Sequence, residues 1–208
     1  MSNQSFVDTL GPLAVADYKK TGVRPSITIA QACLESGFGG SGLTVKANNL
    51  FGIKGTGNAG SIVMLTTEYV KGKAIKVNAA FRKYKSWGDS IADHSRLILS
   101  GTKDNPKRYH GVLTAKTYQA AAVAIWQGGY ATDPKYPDKL IKLIQDFNLD
   151  RFDREGEEVT MDKASANAII VKYLQPAYAA AKTAGERKVI GAHADLIRVA
   201  SGQAPQNR

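Results

Sequence analysis

Ala30-Gln31-Ala32-Cys33-Leu34-Glu35-Ser36-Gly37-Phe38-Gly39-Gly40-Ser41 is an apolar, helix-like run that carries one glutamate and then meets a glycine cluster. Pro25-Ser26 just upstream is a helix start signal, so the spacing predicts a helix over about residues 26–36. Gly37, Gly39, Gly40 and Gly42 forbid its continuation. Glu35 therefore falls on the last turn. Residues 1–150 hold one other glutamate, Glu68, so candidates for a glutamic acid catalyst are few. The C-terminal end of a helix carries partial negative charge, which disfavours ionisation of a nearby carboxyl. Leu34 and Phe38 flank Glu35 and would reduce its solvation. Both effects raise a carboxyl pKa, as a general acid at neutral pH requires. A plain solvated glutamate at a helix end fits the same stretch, and the local sequence leaves both readings open.

Outward from this stretch the chain alternates between helical and extended signals. A first helix is expected over about residues 5–20, with Phe6, Leu10, Leu13, Ala14 and Ala16 as its apolar side, interrupted at Gly11-Pro12. Val63, Leu65, Thr67 and Tyr69 alternate with other residues, as do Ile75, Val77, Ala79 and Phe81. Lys71-Gly72 separates the two runs, which together read as a β-hairpin over about 61–82. Ser86-x-x-Asp89 has the form of a helix cap ahead of a helix to about Leu99. An alanine-rich helix is expected from Ala115 to Gln127, and Pro137 opens another with Leu140, Ile141, Ile144 and Phe147 at helical spacing. Arg151 to Glu158 is a charged stretch with the composition of a linker. The expected organisation is a main domain over residues 1–152, a linker over 153–159, and a small helical module over 160–208. In that module, helices are expected over Met161–Tyr173 and Pro176–Ala200, with a break near Thr183 to Gly185 and a disordered tail from Gly202.

Composition narrows the function. Apolar content of 43% and charged content of 22% are those of an ordinary globular protein. No run is long and apolar enough for a membrane span, and Met1 to Ser5 lacks the pattern of a secretory signal. Cys33 is the single cysteine, which excludes an internal disulfide, and its apolar setting suits a core residue better than a nucleophile. His94, His110 and His193 are scattered, so no metal site and no cofactor are expected. The net charge is +10, and residues 1–150 carry 19 Lys/Arg against 11 Asp/Glu. That excess points to an anionic partner. Nucleic acid, a bacterial wall and a merely solvated basic surface all fit the charge by itself.

Other residues have chemistry to offer. Glu68 lies on the first expected strand, facing either solvent or a cleft between hairpin and helices. Paired carboxylates are the usual equipment for splitting a glycosidic bond. Aromatic rings suit sugar faces, and Phe51, Trp87, Tyr109, Trp126 and Tyr130 are candidates among residues that are more often core. Tyr130 follows Gly128-Gly129 at a helix end, where a loop can present it.

Ala30 to Ser36, with Gly39 and Ser41, resembles the catalytic motif of the family 73 glycoside hydrolases, the bacterial and phage endo-β-N-acetylglucosaminidases. Asn48-Asn49-Leu50-Phe51-Gly52-Ile53-Lys54 is similar to that family's second hallmark, and Thr66-Thr67-Glu68-Tyr69 to its hairpin segment. Phe81-Arg82-x-Tyr84, Ser90-Ile91-x-Asp93-His94 and Gly129-Tyr130-Ala131-Thr132-Asp133-Pro134-x-Tyr136 resemble its later landmarks, in family order across roughly residues 5–150. The resemblance implies an α+β, lysozyme-like fold, mostly helical with a small β-hairpin lobe. It implies Glu35 as general acid, Glu68 as second carboxylate and Tyr130 as a residue that holds or polarises the N-acetyl sugar. Asn49, Phe51, Tyr109 and Trp126 are then expected to contact substrate. The implied reaction is cleavage of the β-1,4 bond after N-acetylglucosamine in peptidoglycan. Muramidases, lytic transglycosylases and a non-catalytic wall-binding or virion module are the rival readings. Expected partners are peptidoglycan strands and anionic wall polymers rather than nucleic acid. The expected setting is a phage lysin made in the cytoplasm and released to the wall, or carried on the virion.

Overall fold

The structure is a computed structural model that describes residues 1–70, 73–156 and 161–206, with the side chains at 68–70 and 155–156 outside that description. It divides into two units, Met1–Glu157 and Glu158–Arg208.

In the first unit, α1 (Asn3–Thr21) starts where the Ser2 hydroxyl accepts the Ser5 N–H and ends on Gly22 in a left-handed conformation. Pro12 does not interrupt it. Asp8 and Pro12 both lie on the exposed side, so the carbonyl that Pro12 leaves without a partner faces water. Phe6, Val7, Leu10, Gly11 and Ala14 form the buried face, whereas Leu13 and Ala16 point to solvent. α2 (Pro25–Ser36) is buried continuously from Pro25 to Cys33. A short helix that the sequence did not announce, α3 (Gly42–Ala47), follows under a Ser41 cap.

The hairpin forms as β1 (Ser61–Val70) and β2 (Lys73–Arg82), antiparallel, with Ser61 opposite Arg82 and Glu68 opposite Ile75. Its expected turn, Lys71-Gly72, lies outside the described residues. α4 (Trp87–Ser100) begins at the Ser86 cap and turns Ile91, His94 and Ile98 inward. The alanine-rich helix begins later than expected. α5 (His110–Thr114) and α6 (Tyr118–Gln127) are separate, because the Thr117 hydroxyl captures the Ala120 N–H and restarts the helix there. α7 (Tyr136–Asp146) has Pro137 in its first turn and buries Leu140 and Ile144.

Residues 153–156, expected to begin a linker, instead complete α8 (Asp150–Gly156). Phe152 and Asp153 are both buried. The Phe152 ring packs flush on α1 at Gly11, where a Cβ would come within 2.3 Å of it. Asp153 closes the start of α2. Its two carboxylate oxygens accept the Ser26 N–H and the Ser26 hydroxyl, each at 2.8 Å, and Arg24 stands 3.5 Å away. Arg24 occupies the cap position of α2 and makes no capping bond with its side chain, so Asp153 supplies the cap from 127 residues away. Charged composition suggested a linker here because it does not reveal that two of the residues face inward. The rest of the expected linker, 157–160, lies outside the described residues.

The second unit contains α9 (Lys163–Ile169), a π-helical segment at Ile170–Leu174, α10 (Gln175–Ala180) and α11 (Ala184–Ala200). Pro176 therefore does not separate two helices. The widened turn before it accommodates the ring and the missing N–H. The break falls at 181–183, where Thr183 and Glu186 form a reciprocal capping box. The tail is not free as far as Gln206, since Gln203 N–H bonds Arg198 O and Gln206 N–H bonds Asp195 Oδ1, both at 2.8 Å. Among the described residues, no helix is long and apolar enough to cross a membrane.

Removing the remote cap should loosen the first unit. Asp153→Ala leaves the Ser26 N–H buried without its acceptor, at a cost of roughly 1–3 kcal/mol. Both tryptophans, Trp87 and Trp126, lie in this unit, so urea unfolding followed by Trp fluorescence reads it directly. The midpoint is expected to fall at unchanged slope.

Candidate active site

Glu35 sits on the last turn of α2, four residues after Gln31 and on the same face. The helix ends on Gly37, and the Ser36 hydroxyl then accepts the Gly39 N–H at 2.7 Å. Gly39 itself has a φ of +79° and lies against Phe6, where a Cβ would come within 2.8 Å of the ring. That loop thus turns sharply away and leaves the Glu35 carboxyl open to solvent. Protein crowds the same carboxyl from behind. This desolvation raises its pKa, and a hydrogen bond from the Tyr136 hydroxyl lowers it by less.

Behind Glu35 lies a buried polar chain. The Tyr136 hydroxyl donates to Glu35 Oε1 at 2.8 Å. Gln31 Nε2 donates to the Tyr136 hydroxyl at 3.0 Å. Gln31 Oε1 meets His94 Nε2, also at 3.0 Å. His94 is fully buried and its Nδ1 has no hydrogen-bond partner. Rings fill the space around the chain. Phe51 stacks on His94 with centroids 4.1 Å apart. Tyr130 stacks on Tyr136 at 6.1 Å and presents edges to His94 and Tyr109. Burial first, then the nearby Glu35 charge, holds the Tyr130 phenol well above its usual pKa, so it is a neutral hydroxyl.

The hairpin is tied to this wall through Asp93, the neighbour of His94 on α4. Asp93 Oδ2 accepts from Arg82 at the end of β2 and from the Tyr84 hydroxyl at 2.7 Å, while Oδ1 accepts from Arg96 at 2.9 Å. One carboxylate thus fixes where the hairpin leaves the helical lobe.

The sequence-predicted residues divide accordingly. Glu35 and Tyr130 share one wall with Tyr109, whose ring is itself buried. Phe51 is buried under His94 and supports the wall rather than lining an open groove. Asn49 is also a support: its amide donates to Ile53 O and Arg82 O, both at 2.9 Å, and accepts the Ile53 N–H. A hallmark asparagine read as a sugar contact is an internal brace, whose amide joins its own loop to the end of β2. Trp126 is half-buried on α6 and, among the described residues, outside this chain of rings. Glu68 sits on β1, and its side chain lies outside the described residues. Cys33 is buried with its thiol pushed up to about 12, as a core residue should be. Sequence reasoning missed Gln31, His94 and Tyr136 as a set. The available signal was Gln31 itself, a polar residue inside an otherwise buried helix, which must have partners.

Residues 11–149 match the glucosaminidase family, described as mannosyl-glycoprotein endo-beta-N-acetylglucosaminidase. The chain belongs to this family. The second unit lies beyond the matched stretch. Among curated family relatives, exo-glucosaminidase LytG of Bacillus subtilis is 47% identical over 150 residues, covering 72% of this chain and 53% of that protein. A probable N-acetylmuramidase of Lactococcus lactis is 38% identical over 155 residues, covering 73% of this chain and 35% of that one. The chain therefore spans about half or less of these relatives. The catalytic domain of a Listeria monocytogenes autolysin superposes with a TM-score of 0.69 at 39% identity, over 72% of this chain and 86% of that one. The lysozyme-like fold of the family is thus the fold of the first unit, mostly helical with one antiparallel hairpin.

The buried histidine gives the site a pH signature. Burial pushes the His94 pKa from an ordinary 6.5 down to about 3, against a smaller upward pull from Asp93. Between those values the unfolded chain binds a proton that the folded one refuses, so this group makes stability fall as pH drops from 6.5 toward 3. His94→Gln should flatten that part of the curve of urea midpoint against pH. An unchanged slope would show that the imidazole is charged in the fold.

Proposed function

We propose that the first unit hydrolyses the β-1,4 glycosidic bond after N-acetylglucosamine in peptidoglycan, with Glu35 as general acid. The observation that carries this reading is the Glu35 carboxyl itself. It is open to solvent, raised in pKa by crowding from behind, and fixed by Tyr136 at 2.8 Å. A carboxyl held this way keeps its proton to higher pH than a free glutamate and delivers it from a defined place. As the proton passes to the leaving oxygen, positive charge develops on the sugar ring. Glu68 or the substrate's own acetamido group stabilises that charge, and water completes the hydrolysis. The neutral Tyr130 hydroxyl, on the same wall, serves as a hydrogen-bond partner for the N-acetyl sugar.

Two names among the relatives bear on the choice of bond. The Bacillus protein is called an exo-glucosaminidase and the Lactococcus one a probable N-acetylmuramidase. Muramidase cleavage is therefore the second reading, and exo-action the variant of the first. The net charge of +10 suits an anionic wall, with its carboxylates and phosphate polymers, as the surface on which the enzyme works.

Glu35→Gln should reduce wall lysis by on the order of 10²–10⁴. Near-native lysis by that variant removes the assignment. Reducing the new chain ends before hydrolysis identifies the bond: glucosaminitol supports the proposal, muramitol the second reading, and anhydro ends a transglycosylase. Release of single sugars rather than long fragments would mark exo-action. Glu68→Gln separates the two ways of stabilising the sugar cation, since loss of activity comparable to Glu35→Gln requires the carboxylate.

A further inference from the structure

The buried chain behind Glu35 has a direction, and the direction follows from its far end. Two polarities satisfy the distances. In one, His94 Nε2–H donates to Gln31 Oε1, Gln31 Nε2–H donates to the Tyr136 oxygen, and the Tyr136 O–H donates to Glu35 Oε1. In the other, the Gln31 amide is turned over and every bond is reversed, which needs the His94 proton on Nδ1 and the Glu35 proton on Oε1. The His94 ring decides between them. It is fully buried, with Phe51 stacked on one face, and its Nδ1 has no partner. An unfilled buried acceptor is tolerated better than an orphaned buried N–H. The proton therefore belongs on Nε2, and that choice propagates through Gln31 to Tyr136.

We propose that His94, Gln31 and Tyr136 act as a one-way positioning relay that keeps Oε1 of Glu35 a permanent acceptor and so places the proton used for bond cleavage on Oε2. None of the three touches the reacting atoms in this scheme; they act through Glu35. The inference rests on the assignment of Glu35 as general acid. In the reaction, Oε2–H gives its proton to the glycosidic oxygen as the C–O bond breaks, and the leaving sugar departs as an alcohol. Water then supplies hydroxide to the anomeric carbon and returns a proton to Oε2. Through this cycle Tyr136 keeps donating to Oε1, and its bond tightens when the carboxyl becomes a carboxylate. The relay thus favours the state in which the proton has left.

The titratable groups that meet this arrangement are Tyr136 from α7, Tyr130 from the loop before it, and His94 with its neighbour Asp93 from α4. Among them Glu35 is the carboxyl that desolvation raises in pKa, against a smaller lowering by the Tyr136 hydroxyl. Tyr136→Phe removes the bond that lowers the Glu35 pKa, so the alkaline limb of the pH–rate profile should move to higher pH. On a soluble peptidoglycan fragment, kcat should fall by on the order of tenfold to hundredfold, with KM little changed. Gln31→Met should give a smaller shift in the same direction, and the double variant should match Tyr136→Phe alone. Nitrogen NMR of the unsubstituted protein with labelled histidine should find His94 neutral and protonated on Nε2 across about pH 5 to 8. This measurement needs no variant and holds even if one fails to fold.

A proton on Nδ1, an unmoved alkaline limb in a folded Tyr136→Phe, or additive effects of the two substitutions would each overturn the relay. Glu35→Gln run alongside keeps the two ideas apart. If it stays active, the general-acid assignment fails. If it is inactive while Tyr136→Phe behaves as the parent, the relay alone fails.

Discussion

α2 is buried from Pro25 to Cys33, and water reaches neither its first N–H groups nor Gln31. A helix in that position cannot leave a polar group to solvent, and while the Thr28 hydroxyl stays without a partner, Ser26 and Gln31 find theirs on other elements. Asp153 on α8 serves Ser26 at the start, while His94 on α4 and Tyr136 on α7 serve Gln31 near the end. Three helices far apart in sequence are thereby pinned to one. The last residue on that face, Glu35, is the one that emerges into solvent. The same requirement that orders the interior therefore delivers a carboxyl at its surface with a fixed neighbour.

Burial also explains why the site resists simple description by its open residues. Phe51 and Asn49 belong to the recognisable motifs, yet both are buried, as is Tyr109. They shape the wall rather than form its outer surface. Asn49 joins the turn up to Ile53 with Arg82 at the end of β2, and Phe51 covers the His94 ring. Motif residues in such a site often mark a supporting layer, because precise placement of one acid depends on several side chains that have no freedom themselves.

The helix at Pro25–Ser36 and its stop were legible because proline, periodicity and glycine all acted locally. So was the hairpin, whose alternation has a period that only a strand uses. Local signals failed where a distant residue decided. Pro12 stays within α1 because its freed carbonyl faces water, and Arg151 to Gly156 is helical because Phe152 and Asp153 have partners on α1 and α2. Glu35 was visible as a candidate, but its fixed orientation was not. Tyr136 lies 101 residues away from it, and no spacing rule links the two.

The position of α8 also bears on where the unit that carries the Glu35 wall stops. Family similarity ends at residue 149, one residue before α8 begins. A fragment cut at that point would keep every side chain of the Glu35 wall. It would nonetheless lose Phe152 from the groove at Gly11 and Asp153 from the start of α2. The boundary of the chemistry and the boundary of the folding unit are thus different places on this chain. A portable form of the first unit has to be drawn to the second, at the end of α8.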